Sequence, residues 1–341
     1  MSRCQVSGSQ IRAIATCVPA LEVENASLAA NGFTAAEIRK VSALAGVRAR
    51  RVVEPTQCAS DLCVQAARQL LHKLTIDPAS IDAVIFVTQS PDYFLPSTAC
   101  VVHDQLGLPH TVAAFDVGLG CSGYPYGLYL AATMIRGGGM ARVLLLHGET
   151  PSRFTSAEDR STHLLFGDAG SATLIDADDA VEASSFVLHT DGSGARDLII
   201  PGGGFRDPRP EDPRDYHVRM DGTGIFNFTL KRVPALINDT LALHGLGVGD
   251  VDHYVFHQSN QFIMKHMIKK CELTAHQAPL CLEKFGNTGG VSVPLTVTQC
   301  LGNALASGVK RLMFLGYGVG LSWGSALMSL EAPALLHSEY R

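Results

Sequence analysis

One cysteine stands between glycines where a buried strand is followed by a helix. Residues 114–131 read AFDVGLGCSGYPYGLYLA, so the strand ends at Asp116–Val117 and Cys121 follows Gly118 and Gly120. Glycines permit a tight turn, and the unpaired N–H groups and dipole at a helix start favour a thiolate over a thiol. Cysteine is also among the most buried residue types, so core packing is the alternative. The flanking glycines favour a nucleophile, which could accept an acyl group from a thioester.

A histidine and an asparagine later in the chain could complete such a site. His257 ends the apolar run of VDHYVFHQSN (251–260), and Asn287 lies in the glycine-rich turn of KFGNTGG (284–290). Forming a carbon–carbon bond requires hydrogen-bond donors that stabilise an enolate or a tetrahedral oxyanion. Taken singly, His257 could be a hydrogen-bonded core residue and Asn287 a turn residue. Taken together, a cysteine, a histidine and an asparagine at the ends of elements indicate one active site.

Strands and helices alternate along the chain that carries these residues. Short apolar runs rich in Val, Ile, Leu and Phe predict buried strands at 81–89, 111–117 and 141–149. Helical patterns lie between them at 60–74, 97–107 and 122–138. This alternation predicts an α/β protein with largely parallel sheets.

The second part of the chain resembles the first. Residues 81–86 (IDAVIF) align with 251–256 (VDHYVF), and 142–146 (RVLLL) align with 311–315 (RLMFL), at nearly the same offset. Chance similarity of buried strands is the alternative to an internal duplication. A duplicated α/β unit is expected to place its active site where the halves meet.

A segment dense in proline, glycine and charge separates the two halves. It reads PGGGFRDPRPEDPRDYH (201–217) and predicts a surface loop. We therefore assign residues 1–200 to a first half that carries the cysteine. Residues 201–341 form a second half that carries the histidine and the asparagine.

Composition excludes several classes of protein. The chain has 341 residues, of which 46% are hydrophobic and 17% charged, a globular balance. A net charge of −5 argues against a nucleic-acid-binding protein. Nine scattered cysteines without a C-x-x-C pair argue against a disulfide framework or a zinc site and favour the cytoplasm. The N-terminus lacks a signal-peptide pattern, and the uncharged stretch 312–330 predicts two strands around a glycine-rich loop rather than a membrane span.

Several motifs, in their order and spacing, resemble the signatures of β-ketoacyl-ACP synthase III enzymes. They are DVGLGCSG (116–123), FGDAGSATL (166–174), HQSN (257–260), GNT (286–288) and GYGVGLSWG (316–324). The resemblance covers nearly the whole chain. It implies a duplicated five-layer αβαβα thiolase fold, a homodimer, and no metal or bound redox cofactor.

The resemblance also implies a reaction in two stages. An acyl group would pass from coenzyme A or an acyl carrier protein to Cys121, and a malonyl thioester would then be decarboxylated so that its carbanion attacks the acyl-cysteine. His257 and Asn287 would donate hydrogen bonds to the malonyl thioester oxygen. The backbone N–H groups of Cys121 and Val319 would form the oxyanion hole.

The chain departs from the family where coenzyme A is bound. The family has a tryptophan near residues 35–40 that stacks on adenine, and this region reads FTAAEIRKVSALAG (33–46) without one. Arg160 matches the arginine on the other side of the adenine. Phe262 replaces the basic residue that usually follows the H-Q-x-N motif. Arg160 and Phe262 are therefore candidate substrate-binding residues with altered surroundings.

Further departures lie at the acyl pocket. The loop that usually reads GNTSAA is GNTGGV (286–291), and Val319 replaces a glycine. Leu95 stands where the family often has a phenylalanine that crosses the dimer interface to the acyl pocket. These changes suit a specialised synthase as well as a housekeeping starter enzyme.

A basic surface could dock an acidic carrier protein. The predicted helix 260–273 carries Lys265, Lys269 and Lys270, of which the first two share a face. Lys231 and Arg232 match a second basic spot near the tunnel mouth in such enzymes. The alternative is an ordinary solvated helix face.

Three other functions remain open from the sequence. They are an acyltransferase to oxygen or nitrogen, an enzyme that joins two acyl chains or makes alkylquinolones, and a catalytically silent partner subunit. An intact Cys–His–Asn set argues against the first, and the presence of Cys121 argues against the last. Pocket shape decides the second.

Overall fold

The computed structural model describes residues 2–31 and 33–340. The strands are β1 (Ser2–Val6), β2 (Ser9–Pro19), β3 (Glu22–Glu24), β4 (Ala49–Arg51), β5 (Ala83–Val87), β6 (Ala113–Val117), β7 (Arg142–Glu149), β8 (Ala169–Ala177), β9 (Ser184–Thr190), β10 (Leu198–Ile199), β11 (Arg219–Met220), β12 (His253–Phe256), β13 (Val309–Gly318), β14 (Ser322–Glu331) and β15 (Ala334–Tyr340). The helices are α1 (Ala35–Ala45), α2 (Ala59–Leu74), α3 (Thr98–Gln105), α4 (Gly123–Gly138), α5 (Arg160–His163), α6 (Gly222–Ala242), α7 (Gln261–Lys270) and α8 (Ser292–Cys300). The strands and helices predicted between residues 60 and 149 are confirmed to within a few residues at their ends.

Two large sheets lie on either side of a pair of central helices. The first sheet has the order β15-β2-β8-β7-β5-β6, and the second has the order β1-β9-β14-β13-β12. Helices α4 and α8 contact strands of both sheets and form the middle layer. Helices α2 and α3 cover the outer face of the first sheet, and α6 and α7 cover that of the second. The predicted five-layer αβαβα order is confirmed.

The strands at the centre of each sheet are apolar because helices cover both of their faces. All five residues of β5 (AVIFV) are buried, and so are all four of β12 (HYVF). Burial of apolar surface is worth about 25 cal/mol per Å². Two continuous buried faces therefore explain why these runs lack the apolar–polar alternation of a half-exposed strand.

Corresponding strands of the two sheets have the same register. In the first sheet β5 pairs in parallel with β7, and Ala83 lies opposite Val143. In the second sheet β12 pairs in parallel with β13, and His253 lies opposite Leu312. These are the positions that the two sequence offsets align, so the internal repeat is confirmed.

An aspartate before each central strand repeats as well. One oxygen of Asp82 accepts the backbone N–H of Arg142 at 2.9 Å. One oxygen of Asp252 accepts the backbone N–H of Arg311 at 2.8 Å. Each carboxylate thus fixes the start of the neighbouring parallel strand in its own half.

Each end of the chain contributes a strand to the sheet of the other half. The N-terminal β1 pairs with β9 in the second sheet, whereas the C-terminal β15 pairs with β2 in the first. Strand β9 precedes residue 200 and yet belongs to the second sheet. The division into residues 1–200 and 201–341 stays a prediction, and the strands cross it.

The uncharged stretch near the C-terminus forms two strands, as predicted. Strands β13 and β14 pair antiparallel and are joined by a short turn at 319–321. Among the described residues, no helix is long and apolar enough to cross a membrane.

Candidate active site

The segment around Cys121 forms a tight elbow between β6 and α4. The strand ends at Val117, and the helix begins at Gly123, two residues after the cysteine. A Cβ atom on Gly120 would lie 2.3 Å from the side-chain oxygen of Gln89, so a larger residue would displace that amide from the cavity wall. One on Gly123 would lie 2.5 Å from Val87. The glycines therefore serve close approach, which agrees with the elbow predicted from the sequence.

Cys121 opens onto a cavity of about 360 Å³. Most of the surrounding side chains are apolar, namely Phe154, Phe166, Leu198, Ile199, Ile200, Val218 and Val319. The polar side chains at its wall include Gln89 and Glu149. A cavity of this kind is suited to an apolar chain attached to the cysteine sulfur.

The thiol of Cys121 is protonated at neutral pH. Burial raises its pKa to about 11, while the backbone N–H groups of Val319 and of Cys121 itself lie against the sulfur and oppose that rise. The expectation of a resting thiolate was wrong, because removing the sulfur from water outweighs the N–H groups at the helix start. The same two N–H groups converge at the sulfur, where a tetrahedral oxyanion on a bound acyl group would need donors.

His257 follows the last residue of β12 and is fully enclosed. Its Nδ1 lies 3.0 Å from the carbonyl oxygen of Gly289 and 2.9 Å from the hydroxyl of Ser292. A carbonyl oxygen only accepts, so Nδ1 carries the proton and Nε2 presents its lone pair. Burial lowers the pKa of His257 to about 4, and the ring is therefore neutral in the resting site.

Asn287 is oriented by its own turn. Its side-chain oxygen accepts the backbone N–H of Gly289 at 3.0 Å, and its side-chain nitrogen donates to the carbonyl of Ser259 at 3.1 Å. Because the oxygen is fixed in this way, one N–H of the amide remains to be offered to a substrate.

Gly289 joins the three candidate residues. It lines the same cavity as Cys121, its carbonyl accepts from His257, and its N–H donates to Asn287. The positive φ of +59° at Gly289 favours a residue without a side chain. One turn thus brings both second-half residues to the cavity of the nucleophile.

Several residues of the site were missed by the sequence analysis. Ser292 contacts His257, and the hydroxyl of Tyr317 donates to the His257 carbonyl at 3.0 Å. Gly318 has φ +153°, and a Cβ atom there would lie 2.9 Å from the sulfur of Cys121. The serine hydroxyl has no distinctive sequence signal, whereas Gly318 belongs to the glycine-rich loop that the motif included.

Two polar side chains at the end of β7 were also missed. His147 and Glu149 point to the same face of the strand, and their exposed fractions are 0% and 3%. The ring of His147 fills the space above Gly290, where a Cβ atom would lie 2.2 Å from its Cε1. Glu149 packs against Gly289. Polar residues ending an otherwise apolar run, LLLHGE, are the signal that could have identified them.

The candidate coenzyme A residues lie apart from the cavity of Cys121. Arg160 and Phe262 line a second cavity of about 500 Å³. Arg160 forms an ion pair with Glu37 at 2.7 Å and lies over the ring of Phe33 at 5.7 Å. Leu95 does not reach either cavity within this chain, because its side chain is 80% exposed on the surface.

The candidate docking residues come together on two neighbouring helices. Lys231 and Arg232 lie on α6, and Lys265, Lys269 and Lys270 lie on α7. Lys270 donates to the carbonyl of Leu230 at 2.7 Å and so links the two helices. Arg232 lies over the ring of Trp323 at 5.2 Å. Their role as a docking surface stays a prediction.

The site chemistry rests on thiol, imidazole and amide groups. In the described part of the chain, no cluster of three or more His, Cys, Asp or Glu side chains could hold a metal ion.

Two family models match the chain in sequence. Residues 115–192 match 3-oxoacyl-[acyl-carrier-protein (ACP)] synthase III, and residues 241–330 match the C-terminal part of that enzyme. The first match includes Cys121, and the second includes His257 and Asn287.

Proteins and solved structures of this family resemble the chain over most of their own length. A putative 3-oxoacyl-[acyl-carrier-protein] synthase 3 of Campylobacter jejuni is 34% identical over 86% of this chain and 85% of its own. A β-ketoacyl-[acyl-carrier-protein] synthase III of Alkalilimnicola ehrlichii is 33% identical over 83% and 88%. The crystal structure of a 3-oxoacyl-(acyl-carrier protein) synthase from Burkholderia xenovorans LB400 superposes with a TM-score of 0.95, 39% identity and 99% coverage of both chains. The chain therefore belongs to the 3-oxoacyl-[acyl-carrier-protein] synthase III family of condensing acyltransferases with the thiolase fold.

Proposed function

We propose that this enzyme transfers an acyl group to Cys121 and then condenses it with a malonyl thioester, releasing carbon dioxide. The observation that carries the proposal is the turn at Gly289, which holds His257 and Asn287 at the cavity of Cys121. A thiol, an imidazole and an amide around one apolar cavity supply a nucleophile and two groups for enolate stabilisation.

In the first stage Cys121 attacks the carbonyl carbon of an acyl thioester. The thiol proton passes to water as the new carbon–sulfur bond forms, and the departing thiolate takes up a proton from water. The backbone N–H groups of Cys121 and Val319 stabilise the tetrahedral oxyanion. The loss of one such donor typically costs about 3 kcal/mol of barrier.

In the second stage the malonyl thioester loses carbon dioxide. The free N–H of Asn287 donates to the thioester oxygen as the enolate forms. His257 donates a second hydrogen bond in the tautomer that carries its proton on Nε2, in which the Ser292 hydroxyl donates to Nδ1. The new carbanion attacks the acyl-cysteine, and the carbon–sulfur bond breaks. The product is a β-ketoacyl thioester two carbons longer than the primer.

The partners of this reaction are an acyl carrier protein, coenzyme A thioesters, or both. The exposed lysines on α6 and α7 form a basic surface that complements an acidic carrier protein. The pairing of Arg160 with Glu37 and the aromatic ring of Phe262 weaken the case for coenzyme A as the priming donor. We infer no metal or bound redox cofactor, since the proposed chemistry requires neither.

The enzyme is proposed to act as a homodimer in the cytoplasm. Phe94, Leu95 and Phe205 are 77%, 80% and 89% exposed and form an apolar patch, with the two phenylalanine rings 5.6 Å apart. An exposed patch of this kind is typical of a subunit interface. Nine free thiols suit a reducing compartment.

Separating the two stages tests the proposal. His257→Ala and Asn287→Ala should still take up an acyl group on Cys121 but should release little carbon dioxide from a malonyl thioester. Acyl uptake is read by intact-protein mass, and decarboxylation by carbon dioxide release. Equal loss of both stages in both variants would point to a structural role and contradict the assignment.

A further inference from the structure

A carboxyl group is buried beside Cys121 without a cation to neutralise it. One oxygen of Glu149 accepts the backbone N–H of Gln89 at 3.0 Å, and the other accepts the hydroxyl of Ser90 at 2.9 Å. Among the described residues, the one basic side chain within 4 Å is His147, whose Nε2 lies 3.9 Å from the nearer oxygen. Hydrogen bonds from two neutral donors do not offset the desolvation of a buried carboxylate, so the protonated form of Glu149 is favoured.

His147 does not supply the missing charge. Both of its ring nitrogens are buried and have no hydrogen-bond partner among the described residues. Burial, and then the proximity of His257, lower the pKa of His147 to about 3. The ring is therefore neutral at neutral pH, and the Glu149 carboxyl keeps its proton instead.

The reaction needs a proton at this place. When the carbon–sulfur bond of the acyl-cysteine breaks, its electron pair remains on the Cys121 sulfur. A thiol with a raised pKa of about 11 is a poor leaving group as a thiolate. Each turnover also consumes one proton, because the malonyl carboxylate departs as neutral carbon dioxide and Cys121 returns as a thiol.

We propose that the acid form of Glu149 donates this proton to the Cys121 sulfur as the β-ketoacyl product leaves. The proton passes from a Glu149 oxygen across the cavity that both residues line, the carbon–sulfur electron pair accepts it, and Glu149 is reprotonated from water before the next cycle. This step rests on the function proposed above. It gives Glu149 a role distinct from the hydrogen bonds of His257 and Asn287.

The ionisation of Glu149 is set by its surroundings. Burial raises its pKa to about 8, the bonds from Ser90 and Gln89 oppose that rise, and the charge of Asp168 adds to it. The titratable groups that face it from the packed elements are His147, Asp168, Cys121, Cys63 and, behind Gly289, His257. Glu149 is therefore a proton donor below about pH 8 and is lost as a donor above it.

The test compares Glu149→Gln with the wild-type protein in single-turnover experiments on preformed acyl-enzyme. Glutamine keeps the shape of the acid form and removes its proton. Acylation of Cys121 should be unchanged, and condensation should fall on the order of 100-fold. The wild-type condensation rate should fall above about pH 8, whereas the condensation rate of the variant should not fall there. Asp168→Asn is the control, since this buried carboxyl lies outside the cavity. Its condensation rate should still fall at high pH, with the fall displaced to lower pH because the charge of Asp168 no longer raises the pKa of Glu149.

Infrared spectroscopy gives a readout that does not depend on turnover. The wild-type protein at neutral pH should show a carboxylic-acid carbonyl band that disappears in Glu149→Gln. Absence of this band, a normal condensation rate in the variant, or equal loss of acylation and condensation would overturn the inference. If no acyl primer is extended by the wild-type protein, the proposed function fails instead, and the infrared result still stands.

Discussion

The hydroxyl of Ser292 connects the start of α8 to the imidazole of His257, and its removal has two calculable effects. It accepts the backbone N–H of Gln258 at 3.0 Å, donates to the carbonyl of Gly289 at 2.7 Å and lies 2.9 Å from Nδ1 of His257. Ser292→Ala leaves the buried N–H of Gln258 without this partner. A buried donor without a partner costs about 1–3 kcal/mol, so we expect a loss of about 2 kcal/mol in the free energy of unfolding.

The same substitution loosens the imidazole. Nδ1 of His257 retains the carbonyl of Gly289 but loses its second contact. Small displacements of a reacting group cost up to about 100-fold in rate, and we expect condensation to slow by roughly 10- to 100-fold. Acylation of Cys121 should change less, because the oxyanion hole does not include Ser292.

The assays are urea unfolding and the separate rates of acylation and condensation. Thr296→Val is the matched control, since its hydroxyl bonds the carbonyl of Ser292 at 2.7 Å one turn along α8 and does not contact His257. This control should lose some stability and keep its condensation rate. An unchanged condensation rate in Ser292→Ala would refute the reasoning that this hydroxyl positions the imidazole.

Three further predictions concern other parts of the molecule. Gly318→Ala should block acylation, because the new methyl group would lie 2.9 Å from the Cys121 sulfur; normal acyl uptake by mass spectrometry would contradict this. The pKa of Glu149 is raised from 4.5 to about 8 in the folded protein, so the folded state loses stability as pH rises through that window. Between pH 4.5 and 7 the free energy of unfolding should fall by about 3 kcal/mol less in Glu149→Gln than in the wild type, as urea titrations would show. Reversing Lys265 and Lys269 to Glu should raise the apparent KM for malonyl-ACP severalfold without affecting a small malonyl thioester, and equal KM values would return these lysines to the solvated surface.

The sequence identified the parts of the site that depend on local geometry. The glycines around Cys121 predicted the elbow, and the repeated apolar runs predicted the strands β5, β7, β12 and β13. These features follow from close approach and from burial on two faces, which leave marks in a single segment.

The sequence did not identify the parts that depend on distant contacts. Ser292 meets His257 across a turn that only the folded chain closes, and Glu149 lines the cavity of Cys121 from the end of β7. The resting thiolate was predicted from the helix start alone, whereas the pKa of Cys121 is set by how deeply the cavity removes it from water. The exchange of β1 and β15 between sheets has no local signal either.

The measurement that tests the central claim most directly is the mass of the intact protein through one catalytic cycle. With an acyl thioester alone, the mass should rise by one acyl group, and digestion should place that group on the peptide containing Cys121. Adding malonyl-ACP should remove the adduct, release carbon dioxide and leave the carrier with the acyl chain extended by two carbons. Cys121→Ser should show none of these changes. An adduct on another residue, or a carrier acylated without loss of carbon dioxide, would contradict the account.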